Sequence, residues 1–100
     1  LRVTRMERHE FSSQSFMPLD AARYVIVVAP KAGAGGPDTE KARAFVVPGD
    51  VGVTYHIDVW HHPMAVLDRA ARFAVVMFRD GGPRDEEFFA VAEPFLVALD

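Results

Sequence analysis

Val51-Gly52-Val53-Thr54-Tyr55-His56-Ile57-Asp58-Val59-Trp60-His61-His62-Pro63 carries a strand period at its start and a cluster of imidazoles at its end. In an extended chain successive side chains point to opposite faces. Val53, Tyr55, Ile57 and Val59 therefore make an apolar face that belongs in a core, while Thr54, His56 and Asp58 face water or a lined cavity. Pro48-Gly49-Asp50 ahead of the stretch reads as a turn. This is the grammar of a half-buried β-strand.

The same grammar repeats in both directions. Tyr24–Ala29, Ala44–Val47, Met64–Leu67, Phe73–Phe78 and Phe95–Leu99 are rich in Val, Phe and Ile, which suit a pleated surface. Turn residues separate them at Pro18-Leu19-Asp20, from Pro30 to Asp38, at Asp80-Gly81-Gly82-Pro83 and at Pro94. Roughly seven short strands with a turn signal every ten residues or so predict an all-β sandwich or barrel. Helix signals are sparse. Asp38 to Arg43 reads as one turn capped by Asp38, and Asp85 to Ala92 as two turns with Asp85 as N-cap. Gly33-Ala34-Gly35-Gly36 lacks the Gly-Lys-Ser/Thr of a phosphate loop and is followed by Pro37, so it reads as a hairpin tip.

Composition narrows the function. The chain has 100 residues, 50% hydrophobic and 25% charged, which describes one ordinary globular domain, read here as residues 1–100. Eleven basic residues against 14 acidic ones give a net charge of -3, and the bases are scattered, which argues against a nucleic-acid partner. No cysteine is present, so disulfides and thiolate chemistry are excluded. No apolar run reaches the ~20 residues of a membrane-spanning helix. Arg2, Arg5, Glu7 and Arg8 occupy the place of a signal peptide's apolar core, and the reading is a cytoplasmic protein.

Three of the four histidines, His56, His61 and His62, fall in the opening stretch. A straight strand would hold His56 and His62 ~20 Å apart at ~3.3 Å per residue, and neighbours His61 and His62 point opposite ways. The imidazoles converge only if the chain turns near Asp58-Val59. Glu7 and His9 share a strand face near the N-terminus, with Gln14 following. Glu7-Arg8-His9 with Gln14 resembles the first cupin motif, with Glu7 in place of a histidine and Gln14 in place of a glutamate. Pro48-Gly49-Asp50 followed by Val59-Trp60-His61 resembles the second. Such donors suit a borderline divalent ion such as nickel, manganese or zinc.

Glu7-Arg8-His9, Gln14, Phe16, Pro18-Leu19, Val25–Pro30, Pro37-Asp38, Arg43-Ala44-Phe45 and Gly52-Val53-Thr54-Tyr55-His56 through Trp60-His61-His62-Pro63 together resemble the ureidoglycolate lyase family. The resemblance runs from about Arg5 to Phe78. It implies a cupin-like double-stranded β-helix (a jelly-roll barrel), a homodimer, and cleavage of ureidoglycolate into glyoxylate and urea with a divalent metal. Relatives carry a segment ahead of the Glu-Arg-His motif. The chain, which begins at Leu1, is therefore expected to be the C-terminal part of a longer one, without some barrel-closing N-terminal strands. The family pattern differs at Val51, Thr54 and Asp58, where Gln, Asn and Gly are common. It also differs at Met77-Phe78, with Arg79-Asp80-Gly81-Gly82 placed later than usual.

Cleaving a carbinolamine needs a base for the hydroxyl proton, an acid for the departing nitrogen and a cation for the carboxylate. Histidine, with an unperturbed pKa of ~6.5, serves either proton role. The catalytic candidates are His56, His61 and His62; the metal-ligand candidates are Glu7, His9, Gln14 and His56. Arg8, Gln14, Tyr55 and Trp60 are the candidate substrate contacts. Three of these have a second reading: Arg8 as a surface ion pair, Tyr55 as a core tyrosine, Trp60 as a core anchor rather than a cavity wall. Two other functions fit such a barrel: a sensor that binds glyoxylate or another small acid without turnover, and a different metal-dependent cupin enzyme.

Overall fold

A computed structural model describes residues 1–77 and 87–99. The described residues form nine strands: β1 (Arg2–Arg8), β2 (Gln14–Pro18), β3 (Arg23–Ala29), β4 (Arg43–Pro48), β5 (Val53–Tyr55), β6 (Trp60–His61), β7 (Ala65–Leu67), β8 (Phe73–Met77) and β9 (Glu87–Leu96). They build two antiparallel sheets, one in the order β4-β3-β6-β1-β9 with β7 also paired to β3, the other β5-β2-β8. The all-β, cupin-like reading holds. Tyr24 of β3 meets Phe73 of β8 edge-on at 5.1 Å and donates its hydroxyl hydrogen to the Val51 carbonyl, so the sheets pack through side chains.

β3, with sequence RYVIVVA, pairs with β4 from Arg23 opposite Pro48 to Val28 opposite Arg43. The glycine-rich tip between them closes through a bridge from Lys31 to Pro37. Gly35 and Gly36 adopt φ of 96° and 71° there, values that glycine reaches without a Cβ clash. One 3-10 turn, Thr39–Lys41, follows; Asp38 stands at its N-cap position without a side-chain capping bond.

Three local expectations fail, one of them at Pro94, which reads as a turn but lies inside β9. Residues 87–92 are strand, not helix, because β9 pairs with β1 from Arg2–Leu96 to Arg8–Glu87, and that ladder outweighs the weak capping signal. Asp85, the expected cap, and Arg79-Asp80-Gly81-Gly82 lie outside the described residues. The expected Val51–Val59 strand is regular only from Val53 to Tyr55; Asp58 then takes φ 65° and the chain turns. Alternation ends at that point and leaves Ile57 exposed.

Register sorts the large sheet into two faces, because directly opposed residues point the same way. Trp60 lies opposite Ala29 and joins Val3, Met6, Val25, Val27 and Val91 in the buried core. Trp60 is thus a core anchor. His61, one residue on, faces the other way, opposite both Val28 and Glu7.

Gly49 shows how tightly the β4–β5 turn sits. A Cβ there would lie 1.9 Å from the Ala21 carbonyl oxygen, backbone that cannot swing aside. Gly49→Ala is expected to cost about 1–3 kcal/mol, as overpacking does. Gly33→Ala, with nothing within 4 Å, should be neutral or stabilise by about 0.4–1 kcal/mol through the unfolded chain. Urea unfolding midpoints of the two variants check the contrast.

Candidate active site

The turn at Asp58 brings distant residues together. It reverses the chain after Tyr55 and returns it as β6, where His61 stands opposite Glu7 of β1. The Asp58 N–H donates to the His9 carbonyl at 2.9 Å, which ties the end of β1 to the turn. One ligand-type atom from each of Glu7, His9 and His61 lies within 4.8 Å of the others. Both imidazoles are buried, His9 at 8% and His61 at 2% exposure, and their rings stack at 5.5 Å.

The small sheet covers this group. The Tyr55 ring lies parallel to the His61 ring, 4.2 Å away with 7° between planes. Gln14 of β2 is the direct partner of Tyr55 across the ladder, and Phe16 meets Tyr55 edge-on at 5.8 Å. Burial drives the Tyr55 phenol well above its ordinary range, so at neutral pH it is an O–H donor. The Tyr55 hydroxyl and the Gln14 Oε1 are buried with no protein hydrogen-bond partner. Most buried polar atoms have partners, so these two exceptions on paired residues leave a donor and an acceptor available to a ligand.

The His61 ring shows which nitrogen is available. Its Nδ1 lies 3.2 Å from the Val59 carbonyl, which can only accept, so Nδ1 carries the proton. Nε2 then holds a lone pair. It is buried without a hydrogen bond and faces Glu7 Oε1 at 3.4 Å. A proton taken up on Nε2 makes His61 a cation, and it is that form which holds the Glu7 carboxyl below the ordinary carboxylate range, against the opposing effect of burial. Two electron-rich atoms so placed need a proton or a cation between them. One carboxylate and two imidazoles, one of them oriented by a backbone carbonyl, are a fitting donor set for zinc, nickel or manganese.

The other candidate residues stand elsewhere. His56 is exposed and lies outside the group, in which His61, read above as catalytic, stands with Glu7 and His9. His62 is half-buried, its N–H donating to the Val27 carbonyl and its Nδ1 to the Pro63 carbonyl at 2.7 Å. Arg8 points away from Glu7. Its guanidinium lies 5.0 Å over the Trp60 ring and pairs with Asp58 and with Glu87 at 3.0 Å. The Glu87 hydrogen bonds lead in raising the Arg8 pKa, with Asp58 adding to them. A cleft of about 830 Å³ runs along the turn, walled by Val28, Lys31, Arg43, Ile57, Asp58 and Val59; the triad does not line it. Asp58 and Glu87 were not legible as parts of this region, since no local pattern links them to Arg8.

Tyr55→Phe removes an unpartnered buried hydroxyl, so stability should be kept or rise slightly. Calorimetric melting checks this: a loss above about 1 kcal/mol would show that the hydroxyl has a structural partner.

A family model described as ureidoglycolate lyase matches residues 1–98. The ureidoglycolate lyase of Pseudomonas savastanoi pv. phaseolicola is 42% identical over 101 residues, covering 100% of this chain and 57% of its own. That of Brucella ovis is 41% identical over 87 residues, covering 87% of this chain and 50% of its own. That of Burkholderia mallei is 49% identical over 74 residues, covering 74% and 42%. The chain thus spans about half the length of the curated relatives it matches.

Proposed function

The chain belongs to the ureidoglycolate lyase family, and from that membership together with the buried triad we propose that the protein splits ureidoglycolate into glyoxylate and urea. The observation that carries this reading is the close Glu7–His9–His61 group with the Tyr55 ring of the facing sheet stacked on His61.

The substrate carbon carries a hydroxyl, a carboxylate and a urea nitrogen. In the elimination the O–H bond breaks and its electrons form the carbonyl, the C–N bond breaks, and the urea nitrogen takes up a proton. Glu7, His9 and His61 would hold a divalent cation, which when bound acidifies the substrate hydroxyl and neutralises its carboxylate. Glu7 presents a second carboxylate oxygen to accept the hydroxyl proton and passes that proton to the urea nitrogen as the C–N bond breaks. The Tyr55 O–H donates to the ureido oxygen, and Gln14 Oε1 accepts from a ureido N–H; each supplies the partner that the other end of the ureido group requires. Burial of these atoms keeps the contacts strong and excludes competing water.

Purified protein assayed for urea release from ureidoglycolate tests the reading. Release should fall with chelator and return with nickel or manganese; no release with either metal added overturns it. The same reading takes the protein as a cytoplasmic homodimer. Support for the dimer comes from exposed apolar side chains on the edge strands, Phe45 and Val46 on β4 and Phe88 and Phe89 on β9. Light scattering should give twice the chain mass; a monomer at micromolar concentration would remove the dimer.

A further inference from the structure

Two non-glycine residues among those described sit at positive φ, and both are aspartates clasped by an arginine. Asp68, at φ 71°, takes a two-pronged hydrogen bond from Arg23, 2.8 and 2.9 Å long, on the open surface. Arg23 starts β3, ~17 Å along the strand from Val28, the partner of His61. Asp58 is different. Its N–H holds the carbonyl of His9, and its carboxylate takes the Arg8 guanidinium and, at 3.2 Å, the Lys31 ammonium. Arg8 is in turn held by Glu87 through contacts of 3.0 and 3.1 Å and lies over Trp60. Asp58 therefore grips two consecutive residues of β1's end, one through its side chain and one through its backbone. It stands three residues before His61.

Glycine would take φ 65° with no steric cost, so what aspartate adds at this position is its carboxylate. We propose that Asp58 is a positioning residue of the active site: its carboxylate on Arg8 and its amide on His9 set where the His9 imidazole meets His61 and Glu7. The inference rests on the reading that the triad is the working site. It extends that reading by making a residue outside the triad responsible for the triad's geometry.

The experiment compares Asp58→Gly and Asp58→Asn with Asp68→Gly, which removes the equivalent surface clasp. Three quantities are read: thermal midpoint, the nuclear Overhauser contact between the His9 and His61 rings in unliganded protein, and nickel affinity by calorimetry. Both glycine variants should lose similar, modest thermal stability. Only Asp58→Gly should lose the ring contact and ~10–100-fold in nickel affinity, the range for losing a partner that orients a ligand. Asp58→Asn should fall between wild type and Asp58→Gly. Equal losses in Asp68→Gly, or an unchanged ring contact and nickel affinity in Asp58→Gly, overturn the proposal. If Asp58→Gly does not fold, Asp58→Asn decides, and wild-type behaviour in it is the overturning result. Wild-type protein that shows the ring contact but neither binds nickel nor releases urea sinks the lyase reading, while the ring contact still decides the role of Asp58.

Discussion

Glu7→Gln lowers nickel affinity by at least ~100-fold, the upper end of what losing a mere outer partner costs, and takes metal-dependent urea release down with it. The substitution keeps the shape of the side chain and removes its charge. In the native site the carboxylate faces the lone pair of His61 Nε2 at 3.4 Å, an arrangement suited to a shared cation. An amide there offers a weaker oxygen or, turned over, an N–H that bonds the imidazole and occupies its lone pair. Stability should fall slightly, because the Glu7 charge is on balance favoured in the fold, its attraction to a protonated His61 outweighing its desolvation. Calorimetric nickel titration beside a thermal melt separates the two effects. A variant that binds nickel as wild type does would remove Glu7 from the metal site.

Trp60→Ala gives the largest loss of stability. The ring is 1% exposed and packs among Val3, Met6, Val25, Val27, Ala29 and Val91, with Phe89 edge-on at 5.8 Å and Arg8 above it. Emptying such a site costs about 3–5 kcal/mol. In a domain of this size that lowers the melting temperature by more than about 12 °C. Val76→Ala, at a position 59% exposed on β8, should move it by no more than the equivalent of about 0.5 kcal/mol. A melting temperature for Trp60→Ala close to that of Val76→Ala would mean that the core is not centred on the tryptophan.

The strands were legible because Val, Ile and aromatic runs between glycine and proline turns have few other outcomes. β3 and its hairpin with β4 fall where expected, as does the turn near Asp58-Val59 that the histidine spacing required. The pairing of Glu7 with His9 was legible for a local reason, since two residues on one strand share a face. The identity of the third residue in their group was not. Choosing His61 over His56 depends on which residue follows the turn in register with Glu7, and register is a long-range property. β9 was misread because three acids near a candidate cap look helical, whereas its ladder partners on β1 lie 79 to 94 positions away. The Arg8–Asp58 pair spans 50 positions and leaves no periodic trace.

β6 is only two residues long, with Trp60 on one face and His61 on the other. Trp60 is also the only tryptophan in the chain, so the protein's long-wavelength fluorescence comes from a single indole bonded through one peptide unit to the imidazole of the site. An occupant that shifts the His61 backbone is expected to shift that indole relative to the guanidinium above it. Emission colour and intensity thus become a built-in optical gauge of what the site holds, requiring no label and no added dye.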